Sequence, residues 1–199
     1  MNQPSARVGM FGGAFDPPHR AHVALARLAI RELALDRLHV LPTGDAWHKS
    51  RELGPAGHRL AMTQLAFADV PHAHVDDREL RRSGATYSVD TLRELQAEHP
   101  GAQLYLLMGE DQATGFDRWH AWPEIARLAV LCVAGRGTGE GMAVLRSLPG
   151  VRFQPLPLPP MADSSTEIRA RLTAGQDITD LVAPAVASYI ETHHLSRTT

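Results

Sequence analysis

The sequence predicts an α/β protein built on a doubly wound, Rossmann-like, mostly parallel sheet. Three observations carry that expectation. Short apolar runs alternate with longer amphipathic ones along nearly all 199 residues, which is the pattern of a parallel sheet with helices on its faces. The first apolar run passes directly into a glycine-rich loop and then a helix. Near the other end, a proline-rich stretch delivers the chain to a second capped helix. With 44% hydrophobic side chains a chain of this size can bury one core. Residues 1–199 are therefore expected to form a single domain, with 164–199 a C-terminal helical segment packed on it.

The elements follow in order. "RVGMF" (7–11) is a short apolar run stopped by two glycines, and "HVALARLAIRELAL" (22–35) carries apolar residues at helical spacing. "LHVLP" (38–42) is the second strand, "HRLAMTQLAFA" (58–68) the second helix and "HAHVDD" (72–77) the third strand. "SVDTLRELQAEH" (88–99) has helical periodicity. "AQLYLLMG" (102–109) and "AVLCVAG" (129–135) are continuous apolar runs of strand length, as expected for strands covered on both faces. "VRFQPL" (151–156) is the last strand. The prolines of "PLPLPPMADSS" (155–165) forbid helix and central strand alike, which makes it an ordered loop. "SSTEIRARLTAG" (164–175) and "PAVASYIETHHL" (184–195) close the chain as helices.

Composition narrows the function. The formal charge is -2 with no long run of one sign, which disfavours a nucleic-acid or polybasic membrane surface and points to a small-molecule partner. The lone Cys132 lies in an apolar run and reads as a buried small hydrophobe in a reducing compartment. No apolar stretch approaches the ~18 residues of a membrane helix, and the N-terminus lacks the layout of a secretory signal. A cytoplasmic location is expected. The 11 histidines are scattered and do not form a set with metal-ligand spacing.

In an open parallel sheet, ligands sit beyond the carboxyl ends of the strands. In "MFGGAFDPPHRAH", Gly12 and Gly13 end the first strand and let a ligand approach the backbone. Pro17 and Pro18 restrict the loop, and Asp16 can bind loop amides. His19 and His22, three residues apart, share one face of the first helical turn, beside unpaired N–H groups and the positive dipole end. This is an anion site with two titratable donors. Neither G-x-G-x-x-G nor G-K-[ST] is present. Alone, the loop can also be read as a glycine turn with histidines at the start of a helix, so other loops decide.

The second loop helps. Ser164 and Glu167 form a capping-box pattern, yet Ser165, Thr166 and Arg169 add more donors than a cap requires. A second anion site fits. After the strand at 102–109, Gly109 and Asp111 face the carboxyl edge, where a carboxylate can bind ribose hydroxyls. Trp119 offers a flat face for a heteroaromatic ring. Lys49 follows the second strand, and Tyr87, Ser88 and Val89 open the helix after the third.

"GGAFDPPHRAH" with "SSTEIR" far downstream resembles the nucleotidyltransferases with an H-x-G-H signature. Within them, "PTGDAWHK", "DDRELRRSGATYSVDTL" and "MGEDQATGFDRWHAW" are similar to the family of bacterial nicotinate-nucleotide adenylyltransferases. The resemblance implies a sheet of the nucleotidyltransferase type and adenylyl transfer from ATP to nicotinate mononucleotide, giving nicotinate adenine dinucleotide and pyrophosphate. It implies Gly12, Gly13, Phe15, His19, His22, Gly109, Asp111, Ser165, Thr166 and Arg169 at ATP, with His19, His22 and Arg169 catalytic. Lys49, Tyr87, Ser88, Val89 and Trp119 fall at nicotinate mononucleotide. No metal ligand comes from the protein, Mg²⁺ being carried by ATP. Ala21 replaces the family's usual glycine, Asp163 an apolar residue, and Arg136-Gly137-Thr138 an Arg-Pro-Gly. Two rivals stand: transfer to nicotinamide mononucleotide, and a non-catalytic adenine-nucleotide-binding module. Transfer to phosphopantetheine is disfavoured, because that family has Thr at the position of His19.

Overall fold

The computed structural model describes residues 5–44, 53–135, 139–159, 161 and 163–195. The strands are β1 (Arg7–Gly13), β2 (Arg37–Pro42), β3 (Ala73–Val75), β4 (Gln103–Gly109), β5 (Ala129–Ala134) and β6 (Phe153–Leu156). They form one sheet in the order β3-β2-β1-β4-β5-β6, and every pairing is parallel. The chain order reverses between β1 and β4, whose register sets Phe11 opposite Leu107. In such sheets that reversal opens a crevice at the carboxyl edge.

The helices are α1 (Arg20–Glu32), α2 (Ala56–Phe67), α3 (Arg78–Arg81), α4 (Ser88–Glu98), α5 (Glu110–Thr114), α6 (Trp122–Leu128), α7 (Glu140–Ser147), α8 (Ser165–Thr173) and α9 (Pro184–Thr192). They bury two apolar layers. One joins α1, α2, α8 and α9 to one sheet face through residues such as Leu25, Phe67, Ile168 and Val186. The other joins α4, α5, α6 and α7 to the opposite face through Leu92, Ala113, Ile125 and Leu145. β4 feeds both, with Leu104, Leu106 and Met108 on one side and Tyr105 and Leu107 on the other. That is the period-two alternation of a strand covered twice. Among the described residues, no helix is long and apolar enough to cross a membrane.

The expected strands are present, with β3 shorter than 72–77 and β6 starting later than 151. α1 begins at Arg20 and stops at Glu32, because Ala34 turns into the left-handed region at φ 47°. Four short helices fall in stretches expected to be loops. α3 and α5 span four and five residues, too few for a hydrophobic period to declare itself. α6 carries proline in its first turn, a legitimate helix opening. α7 contains Gly141 packed against Ala113 and Glu110, so a poor helix former marks a close helix contact. The segment between α8 and α9 buries Ile178, Leu181 and Val182, and Leu181 accepts a hydrogen bond from the Arg20 N–H at 2.9 Å.

Leu106 is 2% exposed at the centre of the sheet. Leu106→Ala is expected to cost about 2–5 kcal/mol in urea unfolding, whereas Leu65→Ala, 37% exposed on α2, is expected to stay within about 0.5 kcal/mol.

Candidate functional site

The loop after β1 is shaped by what its prolines lack. The peptides Asp16–Pro17 and Pro17–Pro18 have carbonyl oxygens but no N–H, so they accept and cannot donate. Donors come from the start of α8: Arg169 Nη1 donates to Asp16 O at 2.7 Å and Ser165 Oγ to Pro17 O at 2.9 Å. Ser164 caps that helix by accepting the Glu167 N–H at 3.1 Å. Arg169 Nη2 also donates to Thr166 Oγ1 at 3.1 Å. The N-terminus of α8 is thus bonded to the loop that leads into α1.

His19 is the N-cap residue of α1. Its N–H donates to His22 Nδ1 at 3.2 Å, which leaves the His22 proton on Nε2. The two rings stack at 3.6 Å. Burial pushes the His19 pKa down to about 4, so this ring is neutral at neutral pH. Its Nδ1 is buried with no hydrogen-bond partner among the described residues. The pair is therefore a stack of neutral N–H donors at a positive helix end, and two stacked cations would repel strongly there.

A cleft of about 800 Å³ opens between the ends of β1 and β4. Its lining includes Gly12, Gly13, Tyr87, Ser88, Asp111 and Trp119, six of the residues expected at substrate. A Cβ on Gly12 would meet nothing within 4 Å, which is the open backbone approach foreseen from the sequence. The Trp119 ring is half-buried, 5.7 Å from the Phe116 ring. Tyr87 stacks on His120 at 4.2 Å with 32° between planes.

Several residues sit differently from expectation. Phe15 does not present its ring to the cleft; it is 1% exposed and packs edge-on to Phe11 and Phe67 at 5.5 and 5.9 Å. Val89 is fully buried in the core beneath α4. What either can offer a ligand is backbone. The Ser165 hydroxyl spends its proton on Pro17 O. Asp16 reaches beyond its own loop, its Oδ2 accepting the Gly54 N–H at 3.2 Å. Gly109 is the N-cap residue of α5, and its N–H donates to Gln112 Oε1 at 3.0 Å. Lys49 and Arg136-Gly137-Thr138 lie outside the described residues.

Other cleft residues were missed, among them Thr43, Glu79, Thr86 and His120. Thr86 and His120 adjoin residues already singled out. Glu79 gave no signal, since "RELRR" reads as a solvated charged turn. It is instead 3% exposed, accepts from Thr91 Oγ1 at 2.8 Å and has its pKa pushed up to about 7 by burial. Around it, Arg82 donates to Thr91 and Glu94, while Arg78 joins Asp76 to Glu98. Burial of Asp76 raises its pKa, but hydrogen bonds from His39 and Arg78 outweigh this and hold it well below the usual carboxylate range.

A parallel sheet with its cleft at the reversal, and with two helix N-termini fixed to one loop, defines a doubly wound α/β protein of the nucleotide-binding type. The chain belongs to the Cytidylyltransferase-like family, whose pattern matches residues 10–171. A protein of Albidiferax ferrireducens named "Probable nicotinate-nucleotide adenylyltransferase" is 52% identical, over 96% of this chain and 98% of that one. A protein of Methylibium petroleiphilum with the same name is 41% identical over 96% and 93%. Among solved structures, nicotinic acid mononucleotide adenylyltransferase of Plasmodium falciparum, complexed with NaAD, superposes with a TM-score of 0.81. The two are 20% identical over 98% of both chains, a likeness of fold.

Glu79 makes stability pH-dependent. Its folded pKa, about 7, lies above its usual value of 4.5, so its contribution is complete below pH 4.5 and is lost as pH rises to about 7. Glu79→Gln is expected to flatten this fall, read as the difference between wild-type and variant urea stabilities at pH 5 and pH 8.

Proposed function

We propose that this protein is a nicotinate-nucleotide adenylyltransferase, transferring the adenylyl group of ATP to nicotinate mononucleotide. The observation that carries the reading is the anchoring of the α8 N-terminus, through Arg169 and Ser165, on residues 16–17 of the loop that leads from the glycine turn into α1, in a chain 52% identical to a protein of that name. In the reaction, a phosphate oxygen of nicotinate mononucleotide forms a bond to the α-phosphorus of ATP. The α–β bridging bond breaks, and pyrophosphate leaves with its electron pair.

The nucleophile is already an anion, so the protein supplies no general base. It must align two anions and stabilise charge on the α-phosphate and the leaving group. The triphosphate lies across Gly12 and Gly13, with Phe15 contributing main chain. His22 Nε2–H and His19 donate to phosphate oxygens, and Arg169, Thr166 and the main chain of Ser165 donate from α8. Asp111 and Gly109 face the adenosine ribose. Trp119 stacks on the pyridine ring, while the N–H groups at Tyr87, Ser88 and Val89 meet the ring carboxylate at a positive helix end. Lys49 joins this end of the site.

Among the described residues, no group of three or more His, Cys, Asp or Glu could hold a metal. Mg²⁺ would arrive on the nucleotide with its waters. Bound there, the ion would neutralise charge developing on the phosphates.

Purified protein with ATP and Mg²⁺ is expected to release pyrophosphate with nicotinate mononucleotide and far less with nicotinamide mononucleotide. ATP binding without release for any acceptor would instead support the non-catalytic module. His22→Ala and His19→Ala are expected to lower kcat by about 10²–10³ with the circular dichroism spectrum unchanged. Because His19 is neutral above about pH 4, its deprotonation should impose no loss of rate between pH 6 and 8. An alkaline limb near pH 6.5 that vanishes in His19→Asn would count against the neutral donor.

A further inference from the structure

The start of the β1 loop is held by a residue that the reaction as described does not use. Arg59, on α2, is 3% exposed. Its Nε donates to Gly54 O and its Nη1 to Ala14 O, each at 2.9 Å. Gly54 in turn donates its N–H to Asp16 Oδ2. A buried guanidinium thus ties α2, Gly54 and the glycine turn into one closed circuit, and Arg169 grips the same loop two residues later.

Peptide planarity gives this grip a consequence. A trans peptide points its C=O and the next N–H in opposite directions. With Ala14 O drawn toward α2 by Arg59, the Phe15 N–H is turned away from α2. The neighbouring plane is fixed likewise, because Gly13 O accepts the Thr43 N–H at 2.8 Å. Ala14 itself lines the cleft. Phe15 sits at φ 45°, a left-handed conformation unfavourable for a bulky L residue. Its ring is anchored in the core, so the backbone there is over-determined from both sides. Left-handed backbone next to turn residues commonly presents N–H groups to anions.

We infer that Arg59 is a positioning residue for ATP: by holding the Ala14 carbonyl, it aims the Phe15 N–H at a phosphate oxygen. This rests on the proposed function for the identity of the anion. Lysine keeps the charge at this position but cannot span two carbonyls in a planar fork.

The test is a titration of Arg59→Lys, folded by circular dichroism, with Mg²⁺-ATP and separately with nicotinate mononucleotide. ATP affinity is expected to fall about tenfold, the scale of one charged hydrogen bond, and acceptor affinity to stay within about twofold. Equal loss for both ligands, or no loss for either, would overturn the inference. A second measurement needs no variant: in ¹⁵N–¹H spectra of the wild-type protein, the Phe15 amide should move on addition of Mg²⁺-ATP, and a stationary resonance at saturation would also overturn it. Both readouts use ATP without acceptor. They stand apart from the pyrophosphate assay, where silence of the wild-type protein would sink the proposed reaction instead.

Discussion

The arrangement depends on a shortage of hydrogen-bond donors in one short loop. Two consecutive X–Pro peptides place acceptors at residues 16 and 17 and remove the N–H groups that would accompany them. Buried carbonyls left unmatched are costly. The loop can be satisfied only by donors from elsewhere, and these come from the first two turns of α8, some 150 residues further along. Tertiary closure of the site is in this sense written into the prolines. The same loop ends in the N-cap residue of α1, so docking α8 there sets two positive helix ends side by side.

That geometry explains why neutral histidines suit the place. The proposed triphosphate would need positive potential, yet the stack of His19 on His22 sits where burial penalises charge. Placing the charge on helix termini and on Arg169, and leaving the imidazoles as N–H donors, avoids two adjacent cations when no ligand is bound. Preorganised donors of this kind reorganise little as charge develops on phosphorus.

The sheet, most of its helices and the loops that open α1 and α8 were legible in the sequence, because apolar period, glycine at a strand end and a Ser-x-x-Glu cap are local signals. The pairing of the two loops was also inferable, since each carried more donors than its local structure needed. What escaped was non-local. Arg59 lies in an amphipathic helix and looks like an ordinary surface charge until the fold brings Ala14 and Gly54 to it. Glu79 belongs to a charged run, and only the packing of α3 against β2 and α4 buries it. Phe15 was placed at ATP by resemblance alone, and no local sign in the sequence shows that its ring packs in the core against Phe11 and Phe67.

The two ends of the cleft are therefore built on different physical terms. The glycine-turn end relies on main chain held by guanidinium and hydroxyl donors, whose protonation does not change near neutral pH. The other end is reached through α3, where a Cβ on Gly44 would fall inside contact distance of the Glu79 carbonyl. There Thr86, Tyr87 and Ser88 line the cleft together with Glu79, whose buried carboxyl has its pKa pushed up to about 7. A change of pH across neutrality reaches the Glu79 end and leaves the glycine turn as it was. Under the proposed function, any pH dependence of substrate affinity that originates in this network should thus fall on the acceptor nucleotide rather than on ATP, because Glu79 accepts a hydrogen bond from Thr91 of α4, the helix that Tyr87 and Ser88 open.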